Sequence, residues 1–349
     1  MIDSALFKLP EWFTREGPDN DVVISSRVRL ARNIDGLPFV ASMNAHARAK
    51  VEKEVKTVVD RLKERFTRID LHRLSDEQLR MLVESNTLGP SEEKRGDVLF
   101  LGADRELRVH VNAVDHLRLV GMAPGLDLAR IRDRVSTLEA VFDDSLAFAV
   151  SLRMGYFTAD MRDVGTGMRA TALLHLPALA ETEGLSEAFR AIDTEDVKYE
   201  LFAASARVSL GDMVLLANGR AMGRDEVELV EKLEGAISQL VHYEREARES
   251  LLATRGEEIR RAVDDAVGYV KYTGAIGGEE AIQLVSRLRL AAIAGMIERP
   301  AVPDITSLFF LSQPSLMAYG RDGNRRGAKG HTVNERRALL LKQQLESLR

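Results

Sequence analysis

DVLFLGADRELRVHV (97–111) is the stretch on which the fold turns. Val98, Leu99, Phe100 and Leu101 form an apolar run, Ala103, Asp104 and Arg105 a short polar turn, and Leu107, Val109 and Val111 then alternate with Arg108 and His110. An apolar run, a tight turn and a period of two predict a β-hairpin, and with it antiparallel pairing. Upstream, the turn Gly17-Pro18-Asp19-Asn20-Asp21 releases Val22-Val23-Ile24, which reads as a strand. Residues 45–66 set Val51, Val55, Val58, Val59, Leu62 and Phe66 at helical spacing, and 76–86 and 126–148 are helical in character, so the N-terminal part reads as mostly helix. Downstream, 168–180 reads as an apolar segment opening a helix after a Gly-rich turn, and strand candidates follow at 198–204 and 212–217. From Asp225 almost to Arg299 the pattern is helical, and a last helix is expected at 333–348. Strands in hairpins with helices in blocks indicate the α+β class. The expected architecture is an antiparallel β-sheet flanked by helices over 1–225 and a helical C-terminal domain over 226–349.

Composition narrows the function. The 349 residues carry 54 acidic against 49 basic side chains, a formal charge of −5, which argues against nucleic acid or an anionic membrane as a partner. Any anion site must be local. Only 11 of the basic residues are lysine, the rest being arginine, and there is no cysteine, which excludes disulfides, thiolate metal sites and a cysteine nucleophile. The first twenty residues carry Asp3, Glu11, Glu16 and Asp19 without a signal-like apolar core, and no 18-residue uncharged apolar run occurs, so a cytoplasmic protein is expected.

Three segments could hold an anion. In SSRVRLARN (25–33), Arg27 and Arg29 project to one side of an extended backbone and make a two-guanidinium clamp suited to phosphate. The plain alternative is an edge strand with a solvated basic face. NAVDHLR (112–118) closes the hairpin and brings Arg118, with His116 read as a structural histidine. GTGMRA (165–170) brings Arg169 behind a Gly-rich turn, where a helix N-terminus would offer free N–H groups.

Together these segments resemble the ATP:guanido phosphotransferases, the family of creatine and arginine kinases, and most of all its bacterial protein-arginine kinase branch. The likeness is carried by GPDNDVVISSRVRLARN (17–33), VNAVDHLRL (111–119), GYFTADMRDVGTGMRATALLHLPAL (155–179) and, more loosely, LGDMVLLANGRAMG (210–223), and spans roughly residues 10–345. The resemblance implies ATP or ADP with Mg²⁺ bound by Ser25, Ser26, Arg27, Val28 and Arg29, by Arg118, and by Arg169, Ala170, Thr171, Ala172 and Leu173. It implies as partners arginine-containing proteins, or a stress-response unfoldase and its activator. The apolar stripes of 225–297 are compatible with a homodimer.

The acceptor side departs from the family pattern. The two glutamate positions that would orient a guanidinium and take its proton fall on Val114 and Ala204, the cysteine position on Asp160, and a phosphate arginine is replaced in Tyr199-Glu200. The branch's phosphoarginine-binding motif aligns with VNERRA (333–338) and keeps Arg337 and Ala338, while a second Arg-Asp-X-X-Arg string lies in the basic loop at 321–325. Three readings stay open: a nucleotide-binding pseudokinase or regulatory homologue, an active phosphotransferase with a rearranged acceptor site using Asp160, and an interaction protein that no longer binds nucleotide.

Overall fold

The structure, a computed structural model, describes residues 10, 13–89, 96–192, 196–205, 208–319 and 330–345. In chain order come β1 (Val23–Arg32), α1 (Ala45–Val59), β2 (Phe66–Asp70), α2 (Asp76–Glu84), β3 (Val98–Gly102), β4 (Leu107–Val111), β5 (Leu117–Pro124) and α3 (Leu128–Asp143). A short pair, β6 (Val150–Ser151) and β7 (Gly155–Tyr156), precedes β8 (Met168–His175), α4 (Pro177–Glu181), α5 (Leu185–Ile192), β9 (Val197–Ser205) and β10 (Val208–Asn218). Helices α6 (Glu226–Tyr272), α7 (Gly278–Ile293), α8 (Val302–Leu311), α9 (Pro314–Tyr319) and α10 (Val333–Leu345) follow.

The 97–111 hairpin forms as β3 and β4, with Val98 opposite Val111 and Phe100 opposite Val109. It is extended into one eight-stranded sheet of order β2-β3-β4-β5-β1-β8-β10-β9, every neighbouring pair antiparallel. The α+β class is as the sequence predicts.

Four local expectations fail. The helix expected over 45–66 ends at Val59, and Phe66–Asp70 pairs with β3 as β2, an edge strand. Residues 168–175 are strand β8 rather than the start of a helix, which begins only at Pro177. An interior strand covered on both faces shows a continuous apolar run, which periodicity alone cannot tell from a buried helix. Strand β1 lies between β5 and β8, so it is interior and not an edge with a solvated face. With β1, β2 and β5 all belonging to the sheet, the N-terminal part is not mostly helix. The basic string at 321–325 and residues 346–348 of the last helix lie outside the described residues.

Pleating divides the sheet between two cores. Val28, Leu30, Leu119, Ala170 and Ala172 pack with α3 and with Leu229, Val230, Leu233, Ile237, Leu240 and Val241 of α6. Ile24, Met122, Leu173 and Met213 instead join Val263 and Val270 of α6 and the apolar residues of α7 and α8. One helix therefore serves both cores, kinked at Arg255, where φ is −129° and ψ 18°. A division at 225/226 coincides with the α6 N-cap, Asp225, which accepts from the Glu228 N–H, whereas core membership changes only beyond Val241.

Arg289 of α7, fully buried, joins the helices to the turn before β1. Its guanidinium donates to the carbonyls of Asn20 (2.5 Å) and Asp21 (3.2 Å), to Thr306 Oγ1 (2.9 Å) and to His175 Nδ1 (2.7 Å). His175 in turn donates through Nε2 to Ser286 Oγ (2.8 Å), which donates to Asp212. Beside them the buried Glu244 accepts the N–H groups of Ala178 and Leu179, and Arg248 holds Asp21 at 2.6 Å. Among the described residues no helix is long and apolar enough to cross a membrane.

Candidate active site

Alternation along β1 sends Arg27 and Arg29 to one face of the sheet and Val28 and Leu30, both within 1% of full burial, to the other. Register extends that face sideways. Arg29 stands directly opposite Arg169 on β8, and Arg27 opposite Thr171. On β5, Arg29 pairs with Val120 and Ala31 with Arg118, so Arg118 shares the face of Val120 and Arg29. Four arginines from three adjacent strands thus converge. The same pleat splits the stretches expected to line a nucleotide: Val28, Ala170 and Ala172 point into the first core, Leu173 joins the second, and the Ser26 hydroxyl donates to the Gly125 carbonyl while accepting from Asp127 N–H. Ser25 lies beside the bulge at the start of β1. The helix N-terminus expected behind the Gly-rich turn is not there, because Met168–His175 is the strand β8.

The fold fixes several of these guanidiniums through neighbouring groups. Arg169 donates to the Asn218 carbonyl at 2.8 Å, and Asn218 Oδ1 accepts from Ala170 N–H. Burial pulls the Arg169 pKa down, with the positive charge of Arg29 adding to that effect and Asp163 opposing it. Arg118 Nε lies 3.3 Å from Asp115 Oδ2. Arg29 pairs with Asp163, and its Nε is buried without a hydrogen-bond partner.

The turn between β4 and β5 is fixed from inside. Asp115, fully buried, accepts from Asn33 Nδ2 (2.9 Å), Ala159 N–H (2.7 Å) and Arg118. His116 accepts from the Ile34 N–H at Nδ1 and donates from Nε2 to the Pro38 carbonyl, both at 2.9 Å, and burial lowers its pKa. It is a neutral structural histidine, as expected from the sequence. Val114, at the first glutamate position, is half-buried in this turn. An alkyl side chain there offers a guanidinium no acceptor.

Residues 157–167 form the loop beside the arginines. Gly167 (φ +69°) lets it lie against β1: its carbonyl accepts the Ala31 N–H at 2.9 Å, and a Cβ would stand 2.6 Å from the Ala31 carbonyl oxygen. Arg32, on the core face, fixes the loop from behind through Glu139 (2.9 Å), the Thr166 carbonyl (2.9 Å) and a stack 3.6 Å over the Tyr156 ring. Asp160 receives Arg162 in a fork, from Nε at 3.1 and 3.2 Å and from Nη2 at 2.7 Å, and this pairing drives its pKa down to about 2. Asp163, 1% exposed, is held by Arg29; burial pushes its pKa up while Arg29, Arg169 and Arg118 pull it down. The register Glu200–Leu215–Leu173 puts the exposed Glu200 on the arginine face, where its charge acts on Arg162 and Arg169. Ala204 lies on β9, and its side chain is outside the described residues.

The sequence reading did not single out Asp163 or Asn218. The Arg-Asp pair at 162–163, two charges inside a Gly-rich loop, is the signal that could have pointed to Asp163. Arg337 sits in the helical part of the chain. It is buried on α10, donating to the carbonyls of Ser312 (2.9 Å) and Ile276 (2.7 Å) and to Asn334 Oδ1 (2.8 Å), which ties α10 to its neighbours.

Comparison with known proteins bears on the family and the fold. Residues 50–247 match the family model for the ATP:guanido phosphotransferase C-terminal catalytic domain. A protein-arginine kinase of Geobacillus sp. (strain WCH70) is 30% identical over 341 residues, covering 96% of this chain and 93% of that protein. One from Halothermothrix orenii is 29% identical over 310 residues, covering 88% and 89%. Among solved structures, the duplicated taurocyamine kinase from Schistosoma mansoni with bound transition state analog components superposes with a TM-score of 0.58 at 20% identity, over 75% of this chain and 39% of that one. Lombricine kinase superposes with a TM-score of 0.55 at 19% identity, over 68% and 70%. These likenesses speak for the fold.

Proposed function

Because the chain belongs to the ATP:guanido phosphotransferase family, in its bacterial protein-arginine kinase branch, we propose that it binds ADP or ATP with Mg²⁺ on the arginine face but transfers phosphate to a guanidinium poorly, if at all. Arg27, Arg29, Arg118 and Arg169 suit a polyphosphate: planar, permanently charged forks on a rigid sheet, with the buried Nε of Arg29 lacking a partner. The ion would be held through the nucleotide's own phosphates, water and at most one or two carboxylates, as Mg²⁺ commonly is.

Transfer makes a second demand. A guanidinium has a pKa above about 12 and a delocalised lone pair, so carboxylates must orient it and accept a proton as the new N–P bond forms. The observation that carries the proposal is the state of the carboxylates beside the arginines. Val114 and Ala204 have none, Asp115 is filled by three donors, Asp160 is locked to Arg162, and Asp163 is committed to Arg29. Glu200, the exposed carboxylate on this face, stands four residues along β9 from the Ala204 position, about 13 Å at roughly 3.3 Å per residue. Asp160, the candidate for a rearranged site, is a weak base at a pKa of about 2. In this reading the protein acts through contacts of the 226–349 helical domain, with arginine-containing proteins or a stress-response unfoldase and its activator as partners, as a homodimer or otherwise.

The test has two arms. Calorimetric titration with ADP–Mg²⁺ is expected to show binding that weakens about 10- to 100-fold in Arg169→Ala, the worth of one or two charge-assisted hydrogen bonds. Absence of heat, with wild type and variant alike, removes nucleotide binding. Incubation with γ-labelled ATP and an arginine-rich protein is expected to give little acid-labile label. Robust labelling that vanishes in Asp160→Asn would establish the active reading instead.

A further inference from the structure

We infer that Asp163 is a built-in counter-anion of the arginine face, occupying a position on Arg29 that a nucleotide phosphate needs, so that this carboxylate sets the affinity of the site for polyphosphate. The inference rests on the polyphosphate reading above.

Arg29 and Arg169 stand directly opposite one another on paired strands. Like charges in that arrangement repel, so an arginine face without ligand needs a negative charge to hold it together. Asp163 supplies it. The groups facing this carboxylate are Arg29 from β1, Arg118 from β5, Arg169 from β8, and Asp160 of its own loop, itself paired with Arg162. The loop is fixed rather than draped: the Asp163 carbonyl accepts from Gly167 N–H (2.8 Å), its N–H donates to the Asp160 carbonyl (3.0 Å), and Gly167 bonds β1.

The pairing also leaves something undone. Asp163 engages Nη2 of Arg29, while Nε on the same fork stays buried and unpartnered. A phosphate group, with several acceptor oxygens, can span both nitrogens where this carboxylate meets one. Entry of the phosphate must then displace Asp163 from Arg29, or settle beside it. Either way a carboxylate within the ring of arginines faces the incoming negative charge, and binding is weaker than the arginines alone would give.

Titration of the full-length protein and Asp163→Asn with ADP, with ADP–Mg²⁺ and with inorganic tripolyphosphate tests this. Replacing the carboxylate by its near-isosteric amide is expected to tighten all three by about tenfold or more, the effect of removing one like charge a few ångströms away in a partly buried site. Unchanged or weaker binding in the variant, while the wild type binds, overturns the inference and leaves the polyphosphate reading standing. Weakening confined to the Mg²⁺ arm assigns Asp163 to the metal and overturns it too. If neither protein binds any of the three, the polyphosphate reading falls and takes the inference with it. Asp163→Ser, smaller and also neutral, provides the same comparison should the amide fail to fold.

Discussion

Two arginine-centred clusters in this molecule look alike in composition and differ in what the guanidiniums touch. Around Arg289 the groups are closed: Asn20, Asp21, Thr306 and His175 take its donors, and His175, Ser286 and Asp212 continue the chain of bonds. On the β5–β1–β8 face the set is not closed: Arg29 and Arg169 confront one another across strands, Arg29 keeps an unpartnered Nε, and Asp163 faces several of the arginines. The first cluster is cement. The second is arranged for a ligand that brings charge with it, and counting arginines would not have separated the two.

Breaking the closed cluster should cost most. Arg289→Ala strips partners from two half-buried carbonyls, a buried threonine hydroxyl and a buried histidine, and is expected to lower unfolding free energy by about 3–5 kcal/mol in urea titration. A loss below about 1 kcal/mol would mean that its bonds are replaced by water and that the distinction drawn here is too sharp.

Next is the pH dependence of the same region. Burial pushes Glu244 up to about 7 from an ordinary 4.5, the Leu179 and Ala178 N–H groups opposing it. A carboxyl whose folded pKa is raised binds more protons folded than unfolded, so the contribution of Glu244 to stability is greatest below about pH 4.5 and is lost as pH rises towards 7. The full span is worth about 3 kcal/mol. Thermal melts should therefore show that the Tm difference between wild type and Glu244→Gln shifts against wild type as pH rises across that window.

The open cluster can be sharpened by completing it. Val114→Glu with Ala204→Glu returns carboxylates to the acceptor positions, and a rise of about 100-fold in acid-labile arginine labelling is expected, the lower end of what one oriented general base contributes. No rise would place the defect in the nucleotide site instead.

Much of this was legible in the chain. The alternation of 97–111 and of Ser25–Asn33 announced hairpin and clamp, since a period of two is a local property. What escaped was not local. Strand β8 looked like a helix because neighbours on both sides cover it, and β2 was absorbed into the preceding helical pattern since Phe66 fits either period. Residues quoted as one contiguous binding stretch were sorted onto opposite faces by the pleat, which consecutive numbering hides. The pairing of Asp163 with Arg29 joins residues 134 positions apart and depends on a loop folding back over β1. No spacing rule reaches that far.

Helix α6 has a consequence for how the molecule can be taken apart. Its first half completes the sheet's core and its second half builds the helical one, with the kink at Arg255 between. A fragment ending at residue 225 would strip Leu229, Leu233, Ile237 and Leu240 from the sheet and leave an apolar wall facing water. The seam between the two halves of this protein therefore runs along the inside of a helix, and neither half owns a complete interior.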